Sequence, residues 1–298
     1  MTRWRRLLTV LTALAVLTSF CGKDDSRTDP AAGRPTPIKL YVFDCGTLER
    51  ADISRFQLKA EEVGTIRMSV ACFLVVHPAG TLMWDVGAVP DTAWVPTGSA
   101  VLQKVVLSDS QQREVTLVKS LGTQLKEAGF SPDRITYLAL SHYHWDHTAN
   151  ANDFRLSTWL VREVERDAMF AGSRPALTLS ATYAALATAK TMVIKGDEHD
   201  VFGDGTVVLK LAAGHTPGHQ VLYVKLPQTG GIVLSGDLYH YPEERFSDKT
   251  PTFEFNREQS LASRATMEAF VKQSKAQLWI EHDLATFNKL KKAPQFYD

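Results

Sequence analysis

The sequence predicts a layered α/β fold in which β-sheets are covered by helices. Strand-like apolar segments come first, helices and strands then alternate to the C-terminus, and His or Asp residues directly follow several of the strands. Elements that are apolar on one face bury that face by stacking in layers. No internal repeat or second linker interrupts the chain after residue 37. We therefore expect one domain that spans residues 38–298.

The first part of this domain is expected to contain a β-hairpin and a long loop. Val70–Val76 and Thr81–Trp84 are apolar runs on either side of a His-Pro-Ala-Gly turn, which is typical of two paired strands. Residues 86–110 contain Gly and Pro with little periodicity, as in loops that cover functional sites. The helical spacing of apolar residues then predicts a helix over Gln112–Ala128.

Strands and helices alternate in the remainder of the chain. Apolar runs of strand length recur between turns that contain Gly or Pro. The predicted strands are Ile135–Leu140, Val207–Leu211, Gln220–Leu226, Gly231–Leu234 and Gln277–Ile280. The predicted helices are Arg162–Ala171, Arg257–Gln273 and a short segment at Leu284–Lys291.

The composition excludes several classes of protein. The 298 residues include 33 Lys and Arg against 33 Asp and Glu, and 44% are hydrophobic, which rules out a disordered or collagen-like chain. The zero net charge argues against binding nucleic acid through bulk positive charge, so we expect no nucleic-acid partner. Nine His and only three Cys permit a metal site of imidazoles and carboxylates, but neither a four-cysteine zinc site nor an all-cysteine iron–sulfur cluster.

The first 21 residues have the pattern of an export signal. Three arginines among the first six residues precede Leu7–Phe20, an uncharged and mostly apolar run of 14 residues. Such a run is too short to cross a bilayer comfortably and fits the apolar region of a signal peptide. We predict that residues 1–21 direct export and that residues 22–37, with their prolines and charges, form a flexible tether.

The three cysteines leave two questions open. Cys21 directly follows the apolar run and resembles the lipidated cysteine of a bacterial lipoprotein, whereas cleavage near residues 19–22 would release the protein. The expected location is therefore periplasmic, membrane-anchored through a lipid, or secreted. Cys45 and Cys72 lie in strand-like segments. They form either a disulfide, as an exported protein permits, or two buried free thiols.

The segment Ser-His-Tyr-His-Trp-Asp-His directly follows the predicted strand Ile135–Leu140. In an extended segment alternate side chains point the same way, so His142 and His144 can converge on one ion. Asp146 and His147 come after the chain turns and can face a second point nearby. The combination is rare by chance, and it therefore predicts a metal site.

Three later segments place further candidate ligands just beyond the ends of strands. His215 opens a Gly-His-Thr-Pro-Gly-His turn, Asp237 follows the strand Gly231–Leu234, and His282 follows the strand Gln277–Ile280. Ligand sites on layered α/β folds gather at such strand ends. His219, the second histidine of the turn, is expected to form hydrogen bonds within the turn and not to bind metal.

Together these residues resemble the metallo-β-lactamase superfamily, and the resemblance runs over nearly the whole chain after residue 37. It implies an αββα sandwich with a dinuclear metal site at one edge, between the two sheets. The resemblance assigns the ligands of one ion to His142, His144 and His215. It assigns those of the second ion to Asp146, His147 and His282, with Asp237 bridging both. It also implies that Asp85 orients a ligand histidine.

Five imidazoles and two carboxylates suit Zn²⁺, although Fe, Co or Mn also fit such ligands. Two ions that share a water lower its pKa and yield hydroxide at neutral pH, and the same ions stabilise the oxyanion that forms when hydroxide attacks a carbonyl. We expect Asp146 to pass the proton to the leaving group.

Within the superfamily the sequence is most similar to the N-acyl-homoserine lactonases. Several of them carry a Tyr three residues after the bridging Asp that contacts the lactone carbonyl. His240 stands at this position and Tyr239 precedes it, so either is a candidate donor to the substrate. The residues expected to surround an acyl chain are Val89, Trp94, Val95, Phe253 and Phe255.

The resemblance implies a small-molecule acyl lactone as substrate and a homodimer as the assembly. The alternative hypothesis is another hydrolase of this fold, which acts on a β-lactam, a thioester or a phosphodiester. The sequence shows no obvious basic cluster for a phosphodiester backbone.

Overall fold

Two β-sheets lie face to face in the computed structural model of the protein. It describes Met1 and residues 37–94, 99–107, 110–173 and 175–298. In chain order, the strands of these residues are β1 Lys39–Leu48, β2 Met68–His77, β3 Gly80–Trp84, β4 Val101–Val106, β5 Gln112–Leu117, β6 Tyr137–Ala139, β7 Thr158–Arg162, β8 Thr191–Ile194, β9 Glu198–Asp200, β10 Val207–Leu211, β11 Gln220–Leu226, β12 Gly230–Leu234, β13 Gln277–Trp279 and β14 Phe296–Tyr297. The α-helices are α1 Leu121–Glu127, α2 Trp145–Thr148, α3 Glu163–Phe170, α4 Arg257–Ser274 and α5 Leu284–Phe287.

The larger sheet has the order β4-β5-β1-β2-β3-β6-β7-β8, with β14 beside one end of β1. It is antiparallel from β4 to β3 and parallel from β3 to β8. The smaller sheet has the order β13-β12-β11-β10-β9 and is antiparallel except between β12 and β13. Helices lie in the connections between the parallel strands. This agrees with the predicted alternation of strands and helices in the later half of the chain.

Apolar side chains fill both the space between the sheets and their outer faces. Strand β1 shows why, because Leu40 and Val42 lie in the core shared by the two sheets while Tyr41 and Phe43 lie in the core on the outer face. A strand buried on both faces is apolar at consecutive positions. Helices α1 and α3 contribute to the outer core of the larger sheet and α4 to that of the smaller one. The predicted αββα arrangement is confirmed.

Residues 86–128 differ from the sequence-based prediction. The segment expected to be a loop contains β4, and the first third of the expected helix is β5, which pairs antiparallel with β4 along its whole length. Helix α1 begins only after Ser120, whose hydroxyl accepts the Thr123 N–H and so satisfies one free donor of the first turn. The apolar spacing over 112–128 thus belongs to a strand followed by a shorter helix.

Residues Thr36–Asp298 form one compact unit. The predicted signal peptide (apart from Met1), Cys21 and the predicted tether up to residue 36 lie outside the described residues. In the part of the chain that the structure describes, none of the helices is long and apolar enough to cross a membrane.

Cys45 in β1 and Cys72 in β2 form a disulfide, with their Cα atoms 5.9 Å apart. Of the two alternatives that the sequence left open, the structure therefore has the covalent pair. Both residues lie in the core of the outer face of the larger sheet. The bond closes a loop across a sequence separation of 27 residues, which restricts the unfolded chain.

Reduction of this disulfide is expected to lower the free energy of unfolding by about 3–4 kcal/mol, from the loss of loop closure in the unfolded state. Urea unfolding of oxidised and reduced protein measures the difference. Iodoacetamide added to unfolded, unreduced protein should leave Cys45 and Cys72 unlabelled in mass spectra. Labelling of both cysteines under these conditions would show that the pair is not covalently bonded.

Candidate metal centre

The predicted ligands meet at one edge of the sandwich because each follows the end of a strand. His142 lies just beyond β6, His215 beyond β10, Asp237 beyond β12 and His282 beyond β13. All of these side chains are buried. Four segments that are far apart in sequence therefore bring their polar residues to the same place, as expected for ligand sites on sheets of this kind.

Three imidazoles and one carboxylate form the first set of candidate ligand atoms. Nε2 of His142 lies 2.9 Å from Nδ1 of His144, and Nε2 of His215 lies 3.0 Å from the same Nδ1. Oδ2 of Asp237 is 3.5 Å from Nε2 of His142 and 3.2 Å from Nε2 of His215. One atom from each residue lies within 4.8 Å of all the others, a spacing compatible with ligands around one ion.

The second set lies on the opposite side of the same carboxylate. Oδ1 of Asp237 is 3.1 Å from Nε2 of His147 and 3.1 Å from Nε2 of His282. Asp146 completes the set, with carboxylate oxygens 3.8 Å from Nε2 of His147 and 3.9 Å from Nε2 of His282. The two oxygens of Asp237 thus face different histidine groups, which is the geometry of a bridging carboxylate.

The residues fit two cations. Nε2 of His147 and Oδ1 of Asp237 are fully buried and make no hydrogen bond of acceptable geometry within the described residues, although they lie 3.1 Å apart. A buried polar atom left in this way is costly. Converging imidazole nitrogens and carboxylate oxygens are the donor set that Zn²⁺ and related ions bind.

For His142, His144 and Asp237, the surroundings favour the protonation states that metal ligands require. Burial lowers the pKa of His142 and His144 well below the usual value, and the neighbouring imidazoles lower it further, so both rings are neutral. Burial raises the pKa of Asp237, but the surrounding histidines outweigh this effect and hold it well below its usual range. Neutral imidazoles and an ionised carboxylate are the metal-binding forms.

Four of the five histidines direct Nε2 to the centre because an acceptor holds their Nδ1. The partners of Nδ1 are Ser141 Oγ for His142 at 2.9 Å, Asp85 Oδ2 for His147 at 3.0 Å, Glu254 Oε1 for His215 at 3.1 Å and the Ser69 carbonyl for His282 at 2.7 Å. Such contacts fix the tautomer and orientation of a ligand ring. Asp85 therefore lies where the resemblance places it, next to a ligand histidine.

Two carboxylates beside the centre were not predicted. Glu254, in the segment before α4, holds His215, and no motif surrounds it in the sequence. Glu281 lies 3.4 Å from Nδ1 of His147, and burial raises the pKa of Glu281 well above its usual value. Its position directly before His282 was the one available signal.

Asp237 itself is held by its backbone. Gly236 has φ +47°, and a Cβ at this residue would lie 2.6 Å from Cβ of Ser141 and 2.8 Å from Nε2 of His219. His219 accepts the Asp237 N–H at 3.0 Å through Nε2, and its Nδ1 donates to the Ala212 carbonyl at 2.9 Å. His219 thus forms hydrogen bonds, but its side-chain partners lie outside the turn, contrary to the expectation, and one of these bonds positions Asp237.

The structure separates the two candidates for the substrate donor. His240 places Nε2 3.1 Å from Oδ2 of Asp237 and stacks on His282 with ring centroids 5.6 Å apart. Tyr239 points the other way, into the core next to α4, where the Arg264 guanidinium lies 4.6 Å from its ring centroid. Because consecutive side chains of an extended segment alternate, only one of the two faces the centre: it is His240, whereas Tyr239 lies in the core.

A cavity of about 390 Å³ opens onto the centre. His144, Asp146, Asp237, His240 and His282 form its floor. Part of the lining is apolar and consists of Leu48, Phe56, Met68, Trp145, Leu177 and Phe253. The entrance is polar and carries Arg50, Asp52, Arg55, Arg113 and Glu114. The cavity thus offers both a reactive floor and an apolar surface for part of a small molecule.

Only some of the residues expected to line the acyl pocket lie at a cavity in the structure. Phe253 lines this cavity, and Phe255 lines an adjacent one that also reaches His144 and His215. Val89 lies in the core beneath the larger sheet and Trp94 packs against that core, so Val89 is a core residue and not part of the pocket. Val95 lies outside the described residues.

Residues 65–271 match the family model of the metallo-beta-lactamase superfamily. Two curated relatives are similar over almost their entire length. The N-acyl homoserine lactonase AttM of Azorhizobium caulinodans is 26% identical over 281 residues, which cover 88% of this chain and 100% of that protein. The N-acyl homoserine lactonase AiiA of Bacillus thuringiensis subsp. kurstaki is 25% identical and covers 88% and 99%, respectively.

Solved structures show the same fold. An N-acyl homoserine lactone hydrolase with the product N-hexanoyl-L-homoserine bound at its catalytic metal centre superposes with a TM-score of 0.71 at 24% identity, over 88% of this chain and 99% of that one. AidC, a dizinc quorum-quenching lactonase, superposes with a TM-score of 0.62 at 19% identity, over 89% and 94%. Because the family model covers more than half of the 298 residues, the chain belongs to the metallo-β-lactamase superfamily.

Proposed function

We propose that this protein is a dinuclear metallohydrolase that opens the lactone ring of N-acyl homoserine lactones. The observation that carries the proposal is the Asp237 carboxylate between two sets of imidazoles at the floor of a cavity with a partly apolar lining. The curated relatives support it, because they are N-acyl homoserine lactonases and this chain is similar to them over almost their whole length. A hydrolytic centre beside an apolar surface suits a polar ring attached to an acyl chain.

The residues that would hold the ions are those grouped by the geometry. His142, His144 and His215 would bind one ion, Asp146, His147 and His282 the other, and Asp237 both. Zinc is the proposed metal, since the donors suit it and AidC, a similar structure, is dizinc. When bound, the ions would lower the pKa of a water and polarise the lactone carbonyl.

The protein supplies positioning and proton transfer. Water adds to the carbonyl carbon, the ring C–O bond breaks, and the products are a carboxylic acid, which releases its proton to the solvent, and a hydroxyl group on the same molecule. The Asp146 carboxylate lies at the cavity floor, where it can accept a proton from the attacking water and give it to the departing ring oxygen. Nε2 of His240, on the same floor, faces Oδ2 of Asp237 at 3.1 Å; with that carboxylate bound to the ions, the same N–H would be free to donate to the carbonyl oxygen.

We also propose that the protein is exported. The basic and apolar pattern of residues 1–21 supports export, and the disulfide between Cys45 and Cys72 suits an oxidising compartment. Lipidation of Cys21 and the homodimer stay predictions; light scattering on the purified protein measures the latter.

Purified protein is expected to contain about two metal ions per chain and to hydrolyse N-acyl homoserine lactones. Chelation should abolish the activity, and Zn²⁺ or Co²⁺ should restore it, because the bound ions are what would activate the water. Elemental analysis and a panel of lactones, nitrocefin, a thioester and a phosphodiester measure both properties. Turnover of nitrocefin or the phosphodiester without lactone hydrolysis would refute the proposed substrate.

His240→Phe is expected to lower kcat about 100-fold, the loss typical of one donor to a developing oxyanion, while the metal content stays at the wild-type level. Tyr239→Phe is the matched control, because Tyr239 lies in the core, and it should retain the wild-type kcat. Steady-state kinetics and elemental analysis of both variants make the comparison. A wild-type rate in His240→Phe, or a loss of rate in Tyr239→Phe, would overturn the assignment.

In a Gram-negative host, the full chain is expected in the periplasm or membrane fraction, and a variant without residues 2–21 in the cytoplasm. Immunoblots of fractions from cells that express each form measure this. Palmitate labelling that disappears in Cys21→Ser would identify the lipoprotein form, and its absence would favour the released form. Full-length protein confined to the cytoplasm would contradict export.

A further inference from the structure

Helix α3 carries a buried carboxylate that neither the metal centre nor the cavity uses. Glu165 lies in the first turn of α3 and is only 3% exposed. Its Oε1 accepts the Tyr143 N–H at 2.9 Å and the Thr216 hydroxyl at 2.9 Å, and its Oε2 accepts the Gly218 N–H at 2.8 Å. One side chain thus holds two separate loops.

These two loops carry the three histidines of the first ligand set. Tyr143 stands between His142 and His144, and Thr216 directly follows His215. The second set is held elsewhere, because Asp85 contacts His147 and the Ser69 carbonyl contacts His282. Glu165 therefore touches the chain next to one set of ligands and not next to the other.

The packing around Glu165 leaves little freedom to replace these hydrogen bonds. A Cβ at Gly218 would lie 2.7 Å from Cβ of Glu165 and 3.0 Å from Cβ of Arg162, so the turn fits directly against the start of α3. Burial raises the pKa of Glu165 to about 7, although the three donors oppose this effect. Because water does not reach this carboxylate, its charge is stabilised by the three protein donors, and the same hydrogen bonds fix the positions of the two loops.

We propose that Glu165 is a positioning residue that holds His142, His144 and His215 in register and thereby sets the affinity of that set for its ion. The inference rests on the metal centre proposed above. It assigns Glu165 no contact with substrate and no role in the second ligand set. An outer partner of a metal ligand commonly changes metal affinity by about 10–100-fold, and we expect an effect of that size here.

Glutamine is the informative substitution because it keeps the size and removes one acceptor. Three donors point at the two carboxylate oxygens. An amide oxygen can replace Oε1, which accepts from Tyr143 and Thr216, but the amide NH₂ would then face the Gly218 N–H as a second donor. Glu165→Gln should therefore release the turn that carries His215. Glu163→Gln is the matched control, since Glu163 lies on the same helix and is exposed.

The experiment is a Co²⁺ titration of the metal-free protein, followed by visible absorption and by competition with a chelator. His215→Ala and His282→Ala supply reference spectra for the loss of each ion. In Glu165→Gln, the ion lost in His215→Ala should bind about 10–100-fold more weakly, while the ion lost in His282→Ala keeps its wild-type affinity. Glu163→Gln should match the wild type for both ions.

Wild-type binding of both ions by Glu165→Gln would overturn the proposal, and so would equal weakening of both. Failure of the wild-type protein to bind two ions would instead overturn the metal centre itself, and the inference with it. If Glu165→Gln does not fold, as circular dichroism would show, Thr216→Val removes one of the three donors and should weaken the same ion selectively. Thr216→Ser, which keeps the hydroxyl, should rescue that affinity; equal behaviour of the two Thr216 variants would refute the proposal.

Discussion

The Asp237 carboxylate is the point on which the rest of the centre depends. Its two oxygens lie within 3.5 Å of ring nitrogens that come from the loops after β6, β10 and β13. Because one short side chain must face both histidine groups, its backbone cannot shift by much without losing one of them. The positive φ of Gly236 and the hydrogen bond from the Asp237 N–H to His219 hold it there. The αββα sandwich makes this geometry possible because several of its strands end at the same edge.

Burial of several carboxylates makes folding of the centre energetically unfavourable in the absence of cations. Asp85 and Glu281 both face Nδ1 of His147, and Asp237 faces its Nε2, so three carboxylates surround one imidazole. Burial lowers the pKa of His147, but these carboxylates outweigh it and raise that pKa well above the usual value. Negative charge gathered in a dry site needs positive charge nearby. Divalent ions supply that charge, so metal binding and the stability of this edge are coupled.

The sequence predicted the parts of the centre that are local. Ligands in a short motif, or directly after an apolar strand, are visible without knowledge of the fold, as His142 and Asp237 illustrate. Glu254 and Glu165 were invisible because they act across 39 and 22 residues on partners that only the folded chain brings near. The hairpin of β4 and β5 was missed because apolar spacing over 112–128 satisfies a helix as well as a strand followed by a helix. The choice between His240 and Tyr239 depended on the direction of one extended residue, which composition and spacing do not fix.

The disulfide lies next to the segment that holds part of the second ligand set. If Gly87 carried a Cβ, that atom would lie 3.0 Å from Cβ and 3.4 Å from Sγ of Cys45, so the covalent pair fits directly behind this glycine. The same short segment holds the second ligand set, since Val86 N–H donates to the His147 carbonyl at 2.9 Å and Asp85 holds the His147 ring. Gly87 has a positive φ that glycine adopts freely, whereas the positive φ of Asp85 is uncommon for a residue with a Cβ and is kept by its surroundings. The covalent pair thus packs beneath the short turn whose Asp85 carboxylate holds the His147 ring, so the disulfide and the second ligand set share one buried segment.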